Sequence, residues 1–294
     1  MHFINPRTDL AFKRIFGSEQ SKAILISFLN ALLYQARDTI TDLEILNHTW
    51  PKIRGIKDTY LSVSARLQDG QQVIIEMQVL NIEGFEKRIL YNAAKTYSIQ
   101  LQQGEGYALL NPVIALTLVD FVLFENLNQV ISRFILKERD FLMDYPIYDL
   151  ELVFVELPKF DKPLEQLDGR LDQWLYFMRH AQDLSMIPES LATVPVLQQA
   201  FGIANQVNLT PEELEDLERR EIFIQDQRNA LLKARKQGLV QGRAEGHAEG
   251  LQEGQRDKAL AIARALLDVL DDATISQKTG LDLATVTNLR ATPD

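Results

Sequence analysis

A β-hairpin predicted around Asp69-Gly70 constrains the fold most strongly, because apolar and polar residues alternate on both of its strands. A two-residue turn at Asp69-Gly70 would place Val63 opposite Glu76 and mix apolar with polar residues on each face. A three-residue loop with Gly70 in the left-handed region instead places Val63 opposite Ile75. The alternation therefore predicts the three-residue loop and sets which residues face each other.

This register brings polar side chains of both strands onto one surface. The strands are predicted over residues 57–66 and 73–79, and their polar face carries Ser62, Glu76 and Gln78. For Glu76 the alternative interpretation is a solvent-facing glutamate on an edge strand, and for Gln78 it is a structural hydrogen bond. The hairpin thus offers one polar surface on which a site could be built.

Strands and helices alternate through the first 160 residues, which is typical of an α/β domain. The apolar periodicities predict further helices and strands at residues 9–16, 22–34, 41–46, 85–101, 111–122 and 150–156. On the helix at 85–101, one side is expected to be formed by Leu90, Ala93, Ala94 and Tyr97. We therefore predict an α/β core over residues 1–160.

The remainder of the chain is predicted to be all-helical. It divides into a helical extension over 161–237, a glutamate- and glycine-rich helical arm or linker over 238–257, and a small helical cap over 258–294. The cap weakly resembles a helix-turn-helix, with Gly280 at the turn. Arg290 is the one cation near its second helix, so the sequence favours a structural cap over a DNA-reading element.

Glycine recurs every fourth residue from Gly238 to Gly254. In a helix, this spacing would form a stripe of small residues along which another helix can approach closely. The repeat therefore fits an arm for self-association into a homo-oligomer. The alternative is a solvated and partly disordered linker, because five helical glycines would cost about 4–5 kcal/mol relative to alanine.

Charge and composition narrow the classes of function. The net charge is −10, but residues 1–100 carry 12 basic and 10 acidic side chains, so the acidity belongs to the rest of the chain. A polyanionic substrate is therefore permitted at the core. The absence of cysteine excludes disulfides, thiolate nucleophiles and cysteine-based zinc sites, and the four histidines lack ligand spacing.

Targeting signals are also missing from the sequence. No apolar run approaches the length that a membrane span requires, and the first residues lack the pattern of a signal peptide. We therefore expect a cytoplasmic protein that does not associate with membranes.

Three features together resemble the Rpn-type recombination-promoting nuclease, or putative transposase, family of bacteria. They are the opening segment 9–17, the helix that carries Arg88 and Tyr91, and the glutamate-glycine repeat of the tail. The Glu76-Met77-Gln78 signature of the hairpin is similar to the wider PD-(D/E)xK nuclease superfamily. The resemblance covers nearly the whole chain and implies a restriction-endonuclease-like core.

The resemblance also implies a site and a substrate. Such nucleases cut DNA with Mg²⁺ or Mn²⁺, held by an aspartate of the first hairpin strand and the glutamate of the second. Carried over, Glu76 and Asp9 correspond to metal ligands and Gln78 to the residue that positions water. Lys13 and Lys95 become possible phosphate contacts, with an ordinary helix surface as the alternative. For Asp9 the alternative is an N-cap of the first helix.

One position departs from the family pattern. Ser62 stands where the family has its first-strand aspartate, and a neutral hydroxyl cannot replace a carboxylate as a metal ligand. Asp58 lies on the same predicted strand face but roughly 13 Å away, too far to substitute. We therefore predict a Mg²⁺-dependent DNA endonuclease with a degenerate, impaired site. The alternative is a catalytically inactive DNA-binding or assembly protein that retains the fold.

Overall fold

The computed structural model of the chain describes residues 2–46 and 62–291. It consists of two compact units, which divide between Gln227 and Arg228. The segment boundaries drawn from the sequence at residues 160, 237 and 257 stay predictions. In the described part of the chain, none of the helices combines the length and the apolar character needed to cross a membrane.

The first unit is built on one mixed sheet with helices on both sides. Its elements, in chain order and apart from short 3₁₀ turns, are α1 (Asp9–Phe16), α2 (Lys22–Tyr34), β1 (Leu43–Ile45), β2 (Val63–Leu67), β3 (Gln72–Gln78), α3 (Phe85–Ser98), β4 (Val113–Val119), β5 (Ile131–Phe134), β6 (Leu150–Glu156), α4 (Gly169–His180), α5 (Glu189–Ala192) and α6 (Pro195–Ala204). The strand order is β1-β2-β3-β4-β6-β5. Strands β3, β4 and β6 run parallel, and the other pairs are antiparallel. The predicted α/β class is confirmed.

The hairpin β2–β3 has the predicted register, with Val63 opposite Ile75. Its loop closes through a hydrogen bond of 2.8 Å from the backbone N–H of Leu67 to the carbonyl of Gln71. Gly70 in that loop has φ +90°, in the left-handed region. The part of the first predicted strand at residues 57–61 lies outside the described residues.

A substitution at Gly70 tests this loop. Gly70→Ala meets two penalties, because φ is +90° and an added Cβ would lie 2.6 Å from Oδ1 of Asn111. Gly104→Ala is the matched control, since Gly104 has φ +94° with nothing within 4 Å of its added Cβ. We expect Gly104→Ala to lower the free energy of unfolding in urea by about 1–2 kcal/mol. Gly70→Ala should lose about 1 kcal/mol more, because the amide of Asn111 must move. Equal losses would show that Asn111 yields without cost.

Two hydrophobic cores cover the two faces of the sheet. On one face, Val73, Ile75 and Met77 of β3 pack in a core that also contains buried residues of α1, α2, α4 and α6. On the other face, Ile74 packs with α3. The helices that follow the sheet in sequence therefore share a core with it.

Helix α3 presents a different side to the sheet from the one predicted. Phe85, Ile89 and Ala93 are buried there, whereas Leu90 is 53% exposed. The i, i+4 spacing of Phe85, Ile89 and Ala93 defines a continuous stripe, and the bulky Phe85 at the first turn fixes it against the sheet. The predicted apolar side is confirmed for Ala93 and Tyr97 and is wrong for Leu90 and Ala94. The resulting rotation brings polar residues of α3 toward β3.

Two further elements differ from the prediction. Strand β5 was missed, because it has four residues and is mostly exposed at the sheet edge. The end of the predicted helical extension, the glycine-rich segment 238–257 and the start of the predicted cap form one helix, α7 (Pro211–Leu266). The glycine repeat is therefore helical, because strong helix formers such as Ala, Glu, Gln and Leu occupy most positions between the glycines.

The second unit contains α7 from Arg228 onward, then α8 (Asp272–Thr279) and α9 (Leu283–Ala291). Its small core is formed by Ala263, Ile275 and Val286. Gly280 ends α8 with φ +75°, as its place at the predicted turn requires. Arg290 donates a hydrogen bond of 2.7 Å to Asp272 and others to backbone carbonyls. The cation considered for DNA reading is thus bound within the unit.

Candidate active site

Asp9 lies in the first turn of α1 and points toward the hairpin. The helix is capped by Thr8, whose side chain accepts a hydrogen bond from the backbone of Ala11. The interpretation of Asp9 as the N-cap is therefore wrong. Its carboxylate instead accepts a hydrogen bond of 2.9 Å from Oγ of Ser62 and one of 3.0 Å from Nζ of Lys13. Asp9 is held at the start of β2 by these contacts.

Ser62 joins α1 to the middle of the sheet. Its hydroxyl donates to Asp9 and accepts a hydrogen bond of 3.2 Å from the backbone N–H of Met77 on β3. The residue is buried, with 7% of its surface exposed. A serine at this position therefore places the Asp9 carboxylate next to the strand that carries Glu76.

Glu76 is a buried carboxylate on an internal strand. β3 lies between β2 and β4, and Glu76 is 8% exposed, so the interpretation as a surface glutamate on an edge strand is wrong. Its Oε1 forms an ion pair with Nη2 of Arg88. Its Oε2 accepts a hydrogen bond of 3.4 Å from Nδ2 of Asn92. Both partners come from α3 and lie on the side of that helix that the sequence pattern had not indicated.

Gln78 is the next residue on the same face of β3. Its Nε2 donates a hydrogen bond of 2.7 Å to the carbonyl of Leu80, and its Oε1 accepts one of 2.8 Å from Nη2 of Arg88. The donor half of the amide is thus used structurally, as one interpretation held. The acceptor half faces the same guanidinium as Glu76.

The two carboxylates influence each other electrostatically. Burial raises the pKa of Glu76, and the nearby charge of Asp9 raises this pKa further, while Arg88 and Asn92 lower it. The net direction is upward. Burial, the largest contribution, therefore disfavours the ionised form of Glu76, and carboxylates perturbed in this way are common at functional sites.

The raised pKa of Glu76 gives a prediction about pH. A raised folded-state pKa contributes stability that is fully present below the unfolded value near 4.5 and is lost as pH rises through the folded value. Glu76→Gln cannot titrate at this position. We expect the free energy of unfolding of the native chain, relative to Glu76→Gln, to fall with rising pH across this window and then to level off. A relative rise would mean that pairing with Arg88 outweighs burial.

The other residues named from the sequence have distinct placements. Lys13 pairs with Asp9, so its ammonium lies beside the candidate site. Lys95 is 7% exposed, and the interpretation as a helix-surface residue is wrong for it. Tyr91 is partly exposed on α3.

Sequence reasoning missed the contacts that Arg88 and Asn92 make with Glu76. Arg88 entered only as part of a family resemblance, without a role. The i, i+4 repeat of Phe85, Ile89 and Ala93 is the signal that would have turned both residues toward β3.

The chemistry of these groups suits a hard divalent cation. Asp9, Glu76 and Gln78 offer oxygen atoms, which Mg²⁺ and Mn²⁺ prefer, and Mg²⁺ commonly uses one or two carboxylates together with substrate phosphate. Over residues 2–46 and 62–291, no group of three or more acidic or histidine side chains gathers in a way that could hold a metal ion. Metal binding by Asp9 and Glu76, with Ser62 at the place of a third carboxylate, therefore stays a prediction.

Comparison with known protein families gives a match over most of the chain. A family model described as "PD-(D/E)XK nuclease family transposase" matches residues 6–234, which include every residue of the candidate site. Searches of curated proteins and of solved structures find no significant match.

Proposed function

Because the chain belongs to the PD-(D/E)XK nuclease family of transposases, we propose that it is a Mg²⁺-dependent DNA endonuclease of recombination type whose metal site is impaired at Ser62. The mixed sheet with flanking helices and a helical C-terminal region fits the fold of that family. DNA is the substrate that such an enzyme would take.

The observation that carries this proposal is the convergence of Asp9, Ser62, Glu76 and Gln78 at one end of the hairpin. Asp9 comes from a helix 53 residues before Ser62, and the hydroxyl of Ser62 links it to β3. Glu76 and Gln78 accept from the same guanidinium nitrogen. Residues distant in sequence thus present their oxygen atoms to one region.

The proposed roles follow from these positions. Asp9 and Glu76 would hold Mg²⁺ or Mn²⁺, which when bound stabilises the charge that develops on a scissile phosphate. Gln78 would orient the attacking water through its Oε1. Lys13, beside Asp9, would place a positive charge toward the DNA backbone. Lys95 lies on α3, the helix that also carries Arg88. Although Lys95 is buried, it remains a proposed phosphate contact.

Ser62 sets the level of activity in this proposal. A serine adds no negative charge, so the cation would be held by two carboxylates instead of three. We therefore propose weak metal affinity and slow cleavage for the native chain. The same observation supports a second candidate function, a DNA-binding or assembly protein that does not cut. In that case, the hydrogen bond from Ser62 to Asp9 and the ion pair of Arg88 with Glu76 would be the permanent state of the site.

Self-association through the helical arm belongs to the same proposal. Apart from the helix itself, nothing in the described chain lies within 4 Å of a Cβ added at any of the five repeat glycines. Leu239, Val240 and Leu251 on this stretch are exposed. A second copy of the helix could therefore approach along this stripe.

Plasmid nicking and DNA binding by the native chain separate the two candidate functions. Supercoiled plasmid is incubated with Mg²⁺ or Mn²⁺ and either the native chain or Glu76→Ala, which controls for contaminating nucleases. Slow, metal-dependent nicking that Glu76→Ala lacks supports the endonuclease. Salt-dependent binding of duplex DNA, with no nicking in Mg²⁺ or Mn²⁺, supports the non-catalytic function. Neither nicking nor binding would reject both.

A further inference from the structure

Arg88 makes the most unusual contacts in the candidate site. From α3, its Nη2 donates both to Oε1 of Glu76 and to Oε1 of Gln78, the latter at 2.8 Å. These are two of the oxygen atoms assigned above to the cation and the water. One positively charged nitrogen therefore occupies the position between the groups on which the proposed function depends.

The guanidinium of Arg88 does not bind Glu76 through two nitrogens, as a permanent arginine–carboxylate ion pair often does. A guanidinium usually binds a carboxylate through two parallel hydrogen bonds. Here Nη2 makes the contacts to Glu76 and Gln78, while Nε is buried and has no hydrogen-bond partner in the described chain. The guanidinium also lies over the ring of Phe85, with Cζ 5.4 Å from the ring centroid. Arg88 thus compensates charge without forming a complete fork with Glu76.

The side chain of Arg88 is also exposed enough to move away from Glu76. It is 38% exposed, whereas the side chain of Glu76 is 10% exposed. A long, half-exposed side chain on a helix can change rotamer without any movement of the backbone. A buried carboxylate beside a second acid, in contrast, is strongly destabilised when its counter-ion leaves, unless another cation or a proton replaces it.

We infer that Arg88 is an exchangeable counter-ion: it holds Glu76 and Gln78 while the cation is absent, and it turns to a DNA phosphate when a divalent cation takes its place. This inference rests on the proposed function and specifies its regulation. A cation at Oε1 of Glu76 and a guanidinium on the same oxygen repel each other, so the two compete. A DNA phosphate, in turn, offers two oxygen acceptors, and the planar guanidinium of Arg88 can donate to both of them at once.

Arg88 is a positioning residue in this scheme, and metal affinity without DNA is the property that reveals it. Arg88→Met removes the charge and keeps an unbranched chain. Lys87→Met is the matched control, since it removes the same charge from an exposed neighbouring position on α3. We expect Arg88→Met to bind Mn²⁺ at least about tenfold more tightly than the native chain in calorimetric titration, and Lys87→Met to resemble the native chain. Arg88→Gln is the second variant, for use if Arg88→Met does not fold.

DNA binding supplies the other half of the test. With Ca²⁺ present, Arg88→Met should bind duplex DNA more weakly than Lys87→Met, and the slope of its salt dependence should be lower by about one.

The outcomes are distinct from those that test the proposed function. Equal or weaker Mn²⁺ binding by Arg88→Met, with binding lost in Glu76→Ala, overturns the counter-ion role and leaves the metal site standing. If the native chain, Arg88→Met and Ser62→Asp all fail to bind Mn²⁺, the counter-ion role and the metal site fall together. Tighter Mn²⁺ binding without weaker DNA binding overturns the phosphate part of the inference.

Discussion

Replacing Ser62 by aspartate is expected to raise the affinity of the chain for Mn²⁺ by about 100-fold or more, which exceeds the usual effect of a residue that only orients a metal ligand. The hydroxyl of Ser62 lies 2.9 Å from Oδ1 of Asp9, so a carboxylate there adjoins the Asp9 carboxylate. Without metal, the two like charges should repel and lower the free energy of unfolding by about 1–3 kcal/mol. Calorimetric titration and thermal unfolding with EDTA or Mn²⁺ measure both effects.

Ser62→Asn is the matched control for this prediction. Asparagine has the size of aspartate and no charge, so it should bind Mn²⁺ no better than the native chain does. Its melting temperature should also shift between EDTA and Mn²⁺ by no more than that of the native chain. If Ser62→Asn gains as much affinity as Ser62→Asp, then size and not the missing carboxylate limits the native site.

Replacing Trp174 by alanine is expected to lower the free energy of unfolding by about 3–5 kcal/mol. Trp174 on α4 is fully buried, with ring centroids 5.8 Å from Phe16, 5.5 Å from Phe28 and 5.7 Å from Phe177. Such a loss is a large part of the roughly 5–15 kcal/mol by which domains are stable. Unfolding in urea measures it.

Trp174→Phe separates the two contributions of this side chain. It keeps an aromatic ring but loses the hydrogen bond of 3.1 Å from Nε1 to Oγ of Ser27. We expect a smaller loss of about 1–2 kcal/mol from the hydrogen bond and the reduced volume. If Trp174→Ala costs less than 1 kcal/mol, then α4 is not part of the core that supports α1 and the hairpin.

The hairpin was predictable because two independent signals agree on it. The period of two on each strand and the turn residues at 68–70 both select one register, and a shift by one residue would place Val63 opposite Glu76 and mix apolar with polar residues on each face. The buried side of α3 was not predictable in the same way. When the helix is considered alone, Leu90, Ala93, Ala94 and Tyr97 also form an apolar side. Only the adjacent sheet decides between the two stripes.

The candidate site was also predictable from the sequence only in part. Glu76 and Gln78 follow from local alternation, but the contact of Asp9 with Ser62 joins residues 53 positions apart. No local sequence pattern predicts a contact between residues so far apart in the chain. Only the family resemblance placed Asp9 in the site. The contact of Arg88 with Glu76 depends on the rotation of α3, and it was missed for that reason.

Cleavage of supercoiled plasmid by Ser62→Asp tests most directly whether this is a nuclease site that lacks one carboxylate. The native chain, Ser62→Asp, and Ser62→Asp combined with Glu76→Ala are compared with Mg²⁺ or Mn²⁺. We predict that Ser62→Asp cuts far faster than the native chain and that Glu76→Ala abolishes this cleavage. A Ser62→Asp chain that folds, binds Mn²⁺ and still does not cut DNA would contradict the assignment of these residues to a nuclease site.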